Sequence, residues 1–199
     1  MSVDALIEHT NIDGIVIATG AASHDELALA GLVATKHIYI EKPMSLSLAG
    51  AHAVRDAAQS AQRQVMVGHL IRYHAAVIEL RKQLAAGAIG SLCHVQANRL
   101  AMGRIRTTES VLFDLCPHDL SLILALVGDL PNKIHCVGAS HITPGVVDFL
   151  ASFLGFDSGV SAGMQTSWLS PFKEHRLTVT GSAGALVFDD TKPWPKKLT

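Results

Sequence analysis

The 199-residue sequence has no surplus of charge of either sign. It contains 16 basic and 17 acidic residues for a formal net charge of −1, so nothing in the composition indicates binding to nucleic acid or to an anionic membrane surface. Hydrophobic residues make up 49% of the chain, which is typical of a protein that buries a core. The length suits one domain or two modest ones.

Cysteine is scarce, and no long hydrophobic run is present. The three cysteines, Cys93, Cys116 and Cys136, are odd in number and far apart, which argues against a disulfide framework or a zinc knuckle. They favour a reducing, cytoplasmic location. The longest apolar stretch, Leu120 to Val127, is well short of the roughly 18 residues that a membrane span needs. Residues 1–11 lack the cationic and apolar regions of a signal peptide.

The first third of the chain alternates apolar strands with helices. Strands are predicted over Ile12–Thr19, His37–Ile40 and Gln64–Gly68, and helices over His24–Ala34 and Leu48–Gln62. Ser45 or Ser47 can cap the second helix. This alternation is typical of parallel βαβ units whose sheet is covered on both faces. We therefore predict an α/β region with a parallel sheet of the Rossmann type.

The pattern changes after Gly68. Helices are predicted over Tyr73–Ala86 and about Pro117–Val127, and strands over Leu92–Ala101, Lys133–Ala139, Val146–Phe153, Gly159–Trp168, Arg176–Thr180 and Ala185–Asp189. Helices followed by a run of strands indicate an α+β domain with a largely antiparallel sheet. We place the boundary between Gly68 and Tyr73, giving domains 1–70 and 71–199. Residues 192–199 contain two prolines and three lysines and are expected to form a frayed end.

Lys42 is the first candidate for chemistry. It follows the predicted strand His37–Ile40 in the run Glu41-Lys42-Pro43, and proline cannot extend a strand ladder. The lysine is therefore placed at the C-terminal edge of a parallel strand, where ligands bind in open α/β sheets. A lysine there can act as an acid or a base if burial or a neighbouring cation brings its proton exchange towards neutral pH. The alternative is a solvated lysine beside a turn proline, whose preceding peptide bond would be trans unless the turn requires cis.

Asp114 and His118 are the second candidate. Proline is tolerated only in the first turn of a helix, so Pro117 places Asp114 near the N-cap and His118 one turn further on. That spacing can bring the carboxylate and the imidazole to one side of the helix start, where the carboxylate would orient the ring. The alternative is that Asp114 only caps the helix. Asp119 is expected to be a first-turn acid favoured by the helix dipole.

Together these motifs resemble the Gfo/Idh/MocA family of NAD(P)-dependent sugar and polyol oxidoreductases. The matching residues follow the family's order along the chain: Ile17-Ala18-Thr19, His24, Gly31, the run Lys36 to Pro43, Val67-Gly68-His69, Arg72-Tyr73, Asp114, His118-Asp119 and Gly181-Ser182-Ala183-Gly184. Within the family, Arg104 to Thr107 and Pro117 to Asp119 look most like sugar-nucleotide 3-dehydrogenases acting on UDP-N-acetylated sugars.

The resemblance implies a role for individual residues. Lys42 and His118 would handle the proton of a sugar hydroxyl while hydride moves to NAD or NADP, and Asp114 would support His118. The residues implied to line the cofactor are Thr19, His24, Glu41, Lys42 and Pro43. The residues implied to contact the substrate are Arg72, Tyr73, Arg104, Arg106 and His118. In that set the two loop arginines would bind a nucleotide diphosphate through forked hydrogen bonds, or are alternatively solvated.

The glycine-rich loop of that family does not occur in these 199 residues. Neither G-x-G-x-x-G after a first strand nor the acid that follows roughly 20 residues later is present. If Ile12–Thr19 is the family's fourth strand, two βαβ units of about 30 residues each would precede it. We therefore expect a fragment of a longer protein, whose second domain also continues past Thr199. Because loop and helix amides supply the phosphate contacts, we expect this chain alone to be inactive or weakly active.

Two other classes of function remain open. The 11 histidines would allow a metal-dependent hydrolase or isomerase, although no H-E-x-x-H or clustered ligand spacing is present and no metal site is predicted. A noncatalytic binding or dimerisation module would account for the missing glycine loop, whereas Lys42, Asp114 and His118 argue for an enzyme. The partners expected are a small-molecule sugar or sugar nucleotide and, through the C-terminal sheet, further copies of the chain.

Overall fold

The chain divides into two units, Met1–His69 and Leu70–Thr199, in a computed structural model that describes residues 2–103 and 105–199. Each unit has its own sheet and its own hydrophobic core. Among the described residues, no helix is both long and apolar enough to cross a membrane.

The first unit is a three-stranded parallel sheet with helices between its strands. In chain order its elements are α1 (Val3–Ile7), β1 (Gly14–Ile17), α2 (His24–Val33), β2 (His37–Ile40), α3 (Leu48–Ala61) and β3 (Val65–Val67). The strands lie in the order β1-β2-β3, and both pairings are parallel, as predicted. Only α1 was not predicted.

Packing in this unit depends on close approach of α2 to the sheet. A Cβ atom added at Gly31 would lie 2.7 Å from Cδ1 of Ile38, so the glycine lets the helix approach β2. The core contains buried apolar side chains of the sheet and of both long helices, including Ile40, Leu32 and Val54. Ser47, one of the two predicted caps, accepts a hydrogen bond from the backbone of Gly50 and begins α3.

The second unit is a six-stranded mixed sheet with two longer helices on one face. After a 3-10 turn, Leu70–Tyr73, its elements are α4 (Ala75–Ala85), β4 (Leu92–Met102), α5 (Val111–Asp114), α6 (Cys116–Val127), β5 (Lys133–Ala139), β6 (Phe149–Gly155), β7 (Ser161–Ser167), β8 (Leu169–Gly181) and β9 (Gly184–Asp189). The strand order is β5-β6-β7-β4-β8-β9. Only the β4–β7 pair is parallel, so the largely antiparallel sheet is confirmed.

Most elements of this unit agree with the prediction, but the short helix α5 was not predicted and several elements differ at their ends. β5 has the predicted bounds, but β8 begins at Leu169 instead of Arg176, because its first residues continue pairing with the long strand β4. The helix predicted from Tyr73 begins at Ala75. Its N-cap is His74, whose Nδ1 accepts a hydrogen bond from the backbone of Ala76 at 3.2 Å.

The expectation of a frayed C-terminal end is wrong. The backbone of Thr199 donates to Val187 at 3.0 Å and accepts from it at 2.7 Å, and Asp189 donates to the carbonyl of Lys197 at 2.8 Å. Nζ of Lys197 also lies 2.6 Å from a carboxylate oxygen of Asp190. β9 would otherwise leave these backbone groups unpaired at the sheet edge, so the last residues fold back and satisfy them.

Candidate functional site

The C-terminal ends of β1, β2 and β3 meet at one edge of the first unit's sheet. All three strands are parallel, with Ile17 opposite Ile40 and Ile40 opposite Val67. The segments that leave the sheet at this edge therefore begin close together, and one of them carries Lys42 directly after β2. The Lys42 side chain is half-buried, and the peptide bond between Lys42 and Pro43 is cis.

The buried His24 contacts two of these segments, the loop after β1 and the turn after β2. Its ring is 1% exposed; Nδ1 lies 2.7 Å from the carbonyl oxygen of Pro43, and Nε2 lies 3.1 Å from that of Thr19. Carbonyl oxygens only accept, so whichever ring nitrogen carries a proton donates to the carbonyl that it faces. His24, which the family resemblance implies to line the cofactor, joins the loop after β1 to the turn after β2.

Glu41 presents a half-buried carboxylate at the same edge. The hydroxyl of Tyr39 donates to Oε1 of Glu41 at 3.4 Å. A Cβ atom added at Gly68 would lie 2.6 Å from the Tyr39 hydroxyl and 3.1 Å from Oε2 of Glu41. Gly68 thus leaves room for an acid that can accept hydrogen bonds from hydroxyl groups, which is the chemistry that a ribose requires.

In the second unit, Asp114 is the last residue of α5 and is 8% exposed. Its Oδ2 accepts from Nε1 of Trp168 at 3.1 Å, and its Oδ1 lies 3.2 Å from Nη2 of Arg106. The N-cap of α6 is Leu115, with no side-chain hydrogen bond, so the alternative that Asp114 caps the helix is wrong. Its carboxylate binds side chains from other segments instead. His118 lies in the first turn of α6 and is half-buried.

The loop before α5 carries Arg106, another residue predicted to contact the substrate. Nη1 of Arg106 lies 3.2 Å from Oε1 of Glu109, so the guanidinium bridges Glu109 and Asp114. The Arg106 side chain is 38% exposed. Arg104 lies outside the described residues.

Arg72 and Tyr73 lie on the 3-10 turn that precedes α4. This turn packs against α6, the helix that carries His118, and both side chains are exposed. Within the second unit the fold therefore places these two predicted substrate residues on an element that touches the His118 helix.

Asp119 is an acid of the first turn of α6, as expected, and it has a further buried partner. It forms a two-point ion pair with Arg99 of β4, with Nε to Oδ2 at 2.9 Å and Nη2 to Oδ1 at 2.7 Å. The two side chains are 5% and 8% exposed, respectively. The pair fastens the start of α6 to the sheet. An arginine on the same strand face as Val95 and Ala97 was the signal in the sequence that could have predicted it.

The buried Arg99–Asp119 pair lies next to a histidine on the neighbouring strand β8. His175 of β8 lies directly opposite Arg99 in the ladder. Burial lowers the pKa of His175, and the positive charges of Arg99 and Lys173 lower it further. The ring therefore favours its neutral form beside the arginine.

A second buried acid lies near Trp168. Asp148 is 1% exposed; its Oδ1 lies 2.7 Å from Nδ1 of His141, and its Oδ2 accepts from the backbone of His141 and of Ile142. Its backbone oxygen accepts from the backbone of Trp168 at 3.2 Å. Neither Trp168 nor Asp148 belongs to a local motif, so the sequence offered no signal for their contacts.

The structure also bears on a metal site. Within 2–103 and 105–199, no group of three or more histidine, cysteine, aspartate or glutamate side chains is arranged to hold a metal ion.

Comparison with family models gives two matches that follow the division into units. The model described as the oxidoreductase family, NAD-binding Rossmann fold, matches residues 1–69, and the GFO/IDH/MocA C-terminal domain matches residues 77–187.

Curated relatives and solved structures agree with these matches. The chain is 31% identical over 167 residues to UDP-N-acetylglucosamine 3-dehydrogenase of Acidithiobacillus ferrooxidans, covering 83% of this chain and 51% of the relative. It is 28% identical over 204 residues to 2,7-anhydro-N-acetylneuraminate hydratase of Escherichia coli K12, covering 94% and 54%. The crystal structure of the Acidithiobacillus enzyme superposes with a TM-score of 0.83 at 30% identity, over 94% of this chain and 60% of that one.

A solved structure from Magnetospirillum magnetotacticum MS-1 covers the whole chain. It has a TM-score of 0.90 at 30% identity and is itself covered to 64%. The chain thus spans about half the length of the two curated relatives named above.

Proposed function

Because the chain belongs to the GFO/IDH/MocA oxidoreductase family, we propose that it serves hydride transfer between NAD or NADP and a hydroxyl-bearing carbon of a sugar, sugar nucleotide or polyol. The observation that carries the proposal is the half-buried Lys42 beside Glu41, directly after β2 at the C-terminal edge of the parallel sheet. This edge is where open α/β sheets bind their ligands. A lysine there can exchange a proton with a hydroxyl group.

The first unit supplies residues suited to the nicotinamide half of the cofactor. When bound, the nicotinamide ring accepts or returns the hydride. Thr19, Glu41 and Pro43 are the residues that would hold this half, with the Glu41 carboxylate accepting from ribose hydroxyls. His24 would act through the carbonyls of Thr19 and Pro43, to which its ring is bound.

The second unit supplies the carboxylate of Asp114, at the end of α5, and the imidazole of His118, in the first turn of α6. We assign His118 to proton exchange with the substrate hydroxyl and Asp114 to its support. The Asp114 carboxylate accepts hydrogen bonds from Arg106 and Trp168. A negative charge four residues before His118 would stabilise the imidazolium that forms when the ring takes the hydroxyl proton.

The substrate group best suited to bind the loop before α5 is a nucleotide diphosphate. Arg106 is partly exposed, and its Nη1 is bound to Glu109, which a phosphate oxygen can replace. Arg104 is proposed as the second arginine of this set on its sequence position alone. The exposed side chains of Arg72 and Tyr73 complete the proposed substrate contacts.

The proposal is tested by hydride transfer in the 199-residue chain at saturating cofactor. UDP-N-acetylglucosamine and an inositol are the substrates to compare, with reduced nicotinamide followed by absorbance. We expect Lys42→Ala to lower kcat by roughly 10²- to 10⁴-fold, since it removes the proposed acid–base group. Lys82→Ala, which changes an exposed lysine on α4, is the matched control. An unchanged kcat in Lys42→Ala would contradict the assignment.

Cofactor affinity is a separate question, because these residues contain no G-x-G-x-x-G loop. Loop and helix amides supply most phosphate contacts in such sites, so we expect NADH to bind this chain only weakly. Fluorescence titration with NADH measures this directly. Half-saturation at micromolar NADH would overturn the expectation, while full saturation without turnover of either substrate would favour the noncatalytic binding module.

We also propose that copies of the chain associate through the second unit's sheet. The helices α4 and α6 pack on one face, where Leu154 lies in the core. Strand alternation puts Phe153 and its neighbour Val137 on the other face, where they are 45% and 71% exposed. Sedimentation equilibrium should show a dimer that Phe153→Glu, with its buried charge, converts to monomer. A wild-type monomer at high concentration would contradict this.

A further inference from the structure

Trp168 lies at the junction between β7 and β8, where contacts fix both its side chain and its main chain. Its side chain is 2% exposed and packs in a buried cluster with Val111, Cys116 and Leu150. Its backbone nitrogen donates to the carbonyl of Asp148 at 3.2 Å, and its backbone oxygen accepts from Gly103 at 3.3 Å. Main chain and ring are both fixed, so the indole N–H points in one direction.

The two oxygens of Asp114 have partners of very different mobility. Oδ2 accepts from the enclosed indole N–H of Trp168 at 3.1 Å. Oδ1 faces Arg106, whose side chain is 38% exposed and is shared with Glu109. Arg106 can therefore leave Asp114 when an anion competes for it, whereas Trp168 cannot. The indole is therefore a donor that can hold the carboxylate in one orientation throughout.

We propose that Trp168 is a positioning residue that fixes the orientation of the Asp114 carboxylate, and this role rests on the proposed function of Asp114 and His118. An indole N–H suits the task because it donates one directed hydrogen bond without adding a charge. It favours the ionised carboxylate and leaves the net charge of the site unchanged. A preorganised donor of this kind avoids reorientation of the acid during each reaction cycle.

The first test needs no enzymatic activity. The chain has two tryptophans, so a nitrogen-15 spectrum shows two indole N–H signals, and the 62% exposed Trp194 is an internal control. In the 199-residue chain we expect Asp114→Asn to shift the Trp168 signal and to speed its hydrogen exchange about 10-fold, since a charged acceptor is lost. The Trp194 signal should not move. A Trp168 signal unaffected by Asp114→Asn would overturn the proposal.

The second test uses Trp168→Phe, which keeps an aromatic ring but removes the donor. In the hydride-transfer assay we expect kcat to fall about 10-fold or more, with the KM for the cofactor unchanged and a shifted pH profile of kcat. Trp194→Phe is the matched control and should keep wild-type kinetics. An unchanged kcat and pH profile in Trp168→Phe would overturn the positioning role.

These two readouts separate failure of the inference from failure of the proposed function. If the wild-type chain is saturated with NADH and still transfers no hydride, the proposed function fails, while the indole spectrum still decides whether Trp168 holds Asp114. If Trp168→Phe does not fold, pH titration of the wild-type Trp168 signal replaces it. That signal should follow one acidic group in the wild type and lose this dependence in Asp114→Asn. A dependence that persists in the variant would overturn the inference.

Discussion

The two units hold their buried polar groups in different ways. In the first unit two of these groups contact backbone carbonyls: His24 contacts those of Thr19 and Pro43, and Lys36 donates to that of His9. The buried Ser45 donates to the carboxylate of Asp25. In the second unit the partners are mainly charged side chains, in three pairs separated by 7 to 20 residues along the chain. Those pairs are Asp114 with Arg106, Asp119 with Arg99, and Asp148 with His141.

This difference follows from the architecture of each unit. Parallel strands end at a common edge, so turns that are far apart in sequence come together there, and contacts to each other's main chain can fix them, as between His24 and Pro43. In the mixed sheet, helices cross strands whose neighbours are distant in sequence. Polar groups between a helix and the sheet must bring their own partners, because the strand backbone is already paired within the ladder.

The largest effect on stability is expected from removing one member of the buried Arg99–Asp119 ion pair in the second unit. We expect Asp119→Ala to lower the free energy of unfolding by about 3–5 kcal/mol, since it leaves the Arg99 guanidinium buried without its counter-ion. Urea denaturation followed by circular dichroism measures this loss.

The matched controls separate charge from packing. The double variant Arg99→Met with Asp119→Leu should recover most of the lost stability, because neither residue then buries a charge. Asp56→Asn removes an exposed acid that pairs with Arg55 and should leave the unfolding midpoint unchanged. A single variant as stable as the wild type would show that the pair does not hold α6 on the sheet.

A smaller effect is expected from the corresponding change in the first unit. His24→Ala removes a ring that is 1% exposed and leaves the carbonyls of Thr19 and Pro43 without it, so we expect a loss of about 2–3 kcal/mol. His52→Ala, on the exposed face of α3, is the control. Amide hydrogen exchange should show the loss in β1 and β2. Unchanged protection in β1 and β2 would mean that the turns after these strands keep their conformation without the His24 ring.

The smallest effect should appear in acid, at the Asp148 pair. Burial would raise the pKa of Asp148, but hydrogen bonds from the His141 ring and from the backbone of Ile142 and His141 outweigh it, so the pKa lies below its usual value. Its contribution to stability is therefore complete above the unfolded pKa of about 3.9 and is lost as the pH falls through the lower folded value.

Comparing the wild type with Asp148→Asn in urea tests this dependence. The wild type should be the more stable at pH 7, and the gap should close as the pH falls below about 4. A gap that stays constant down to the lowest pH at which the protein folds would show that the hydrogen bonds do not lower the pKa of Asp148.

Local patterns predicted the elements well and their ends less well. Lys133–Ala139 was predicted exactly because it is a short run between clear breaks, whereas β8 was predicted to begin seven residues too late. The start of β8 exists because β4 extends far enough to pair with it. The ordered C-terminal end is likewise a consequence of the open edge of β9. Both depend on contacts between distant segments, which no local pattern encodes.

The sequence by itself determined which residues are candidates for chemistry. Lys42 stands before a proline after a β-branched run, and Asp114 and His118 flank a proline that starts a helix, so their positions follow from backbone rules that act over a few residues. Only the tertiary structure decided what holds them. Trp168 reaches Asp114 across 54 residues, and Arg99 reaches Asp119 across 20. Burial determines such pairs, because a polar group removed from water must find its partner wherever the fold brings one.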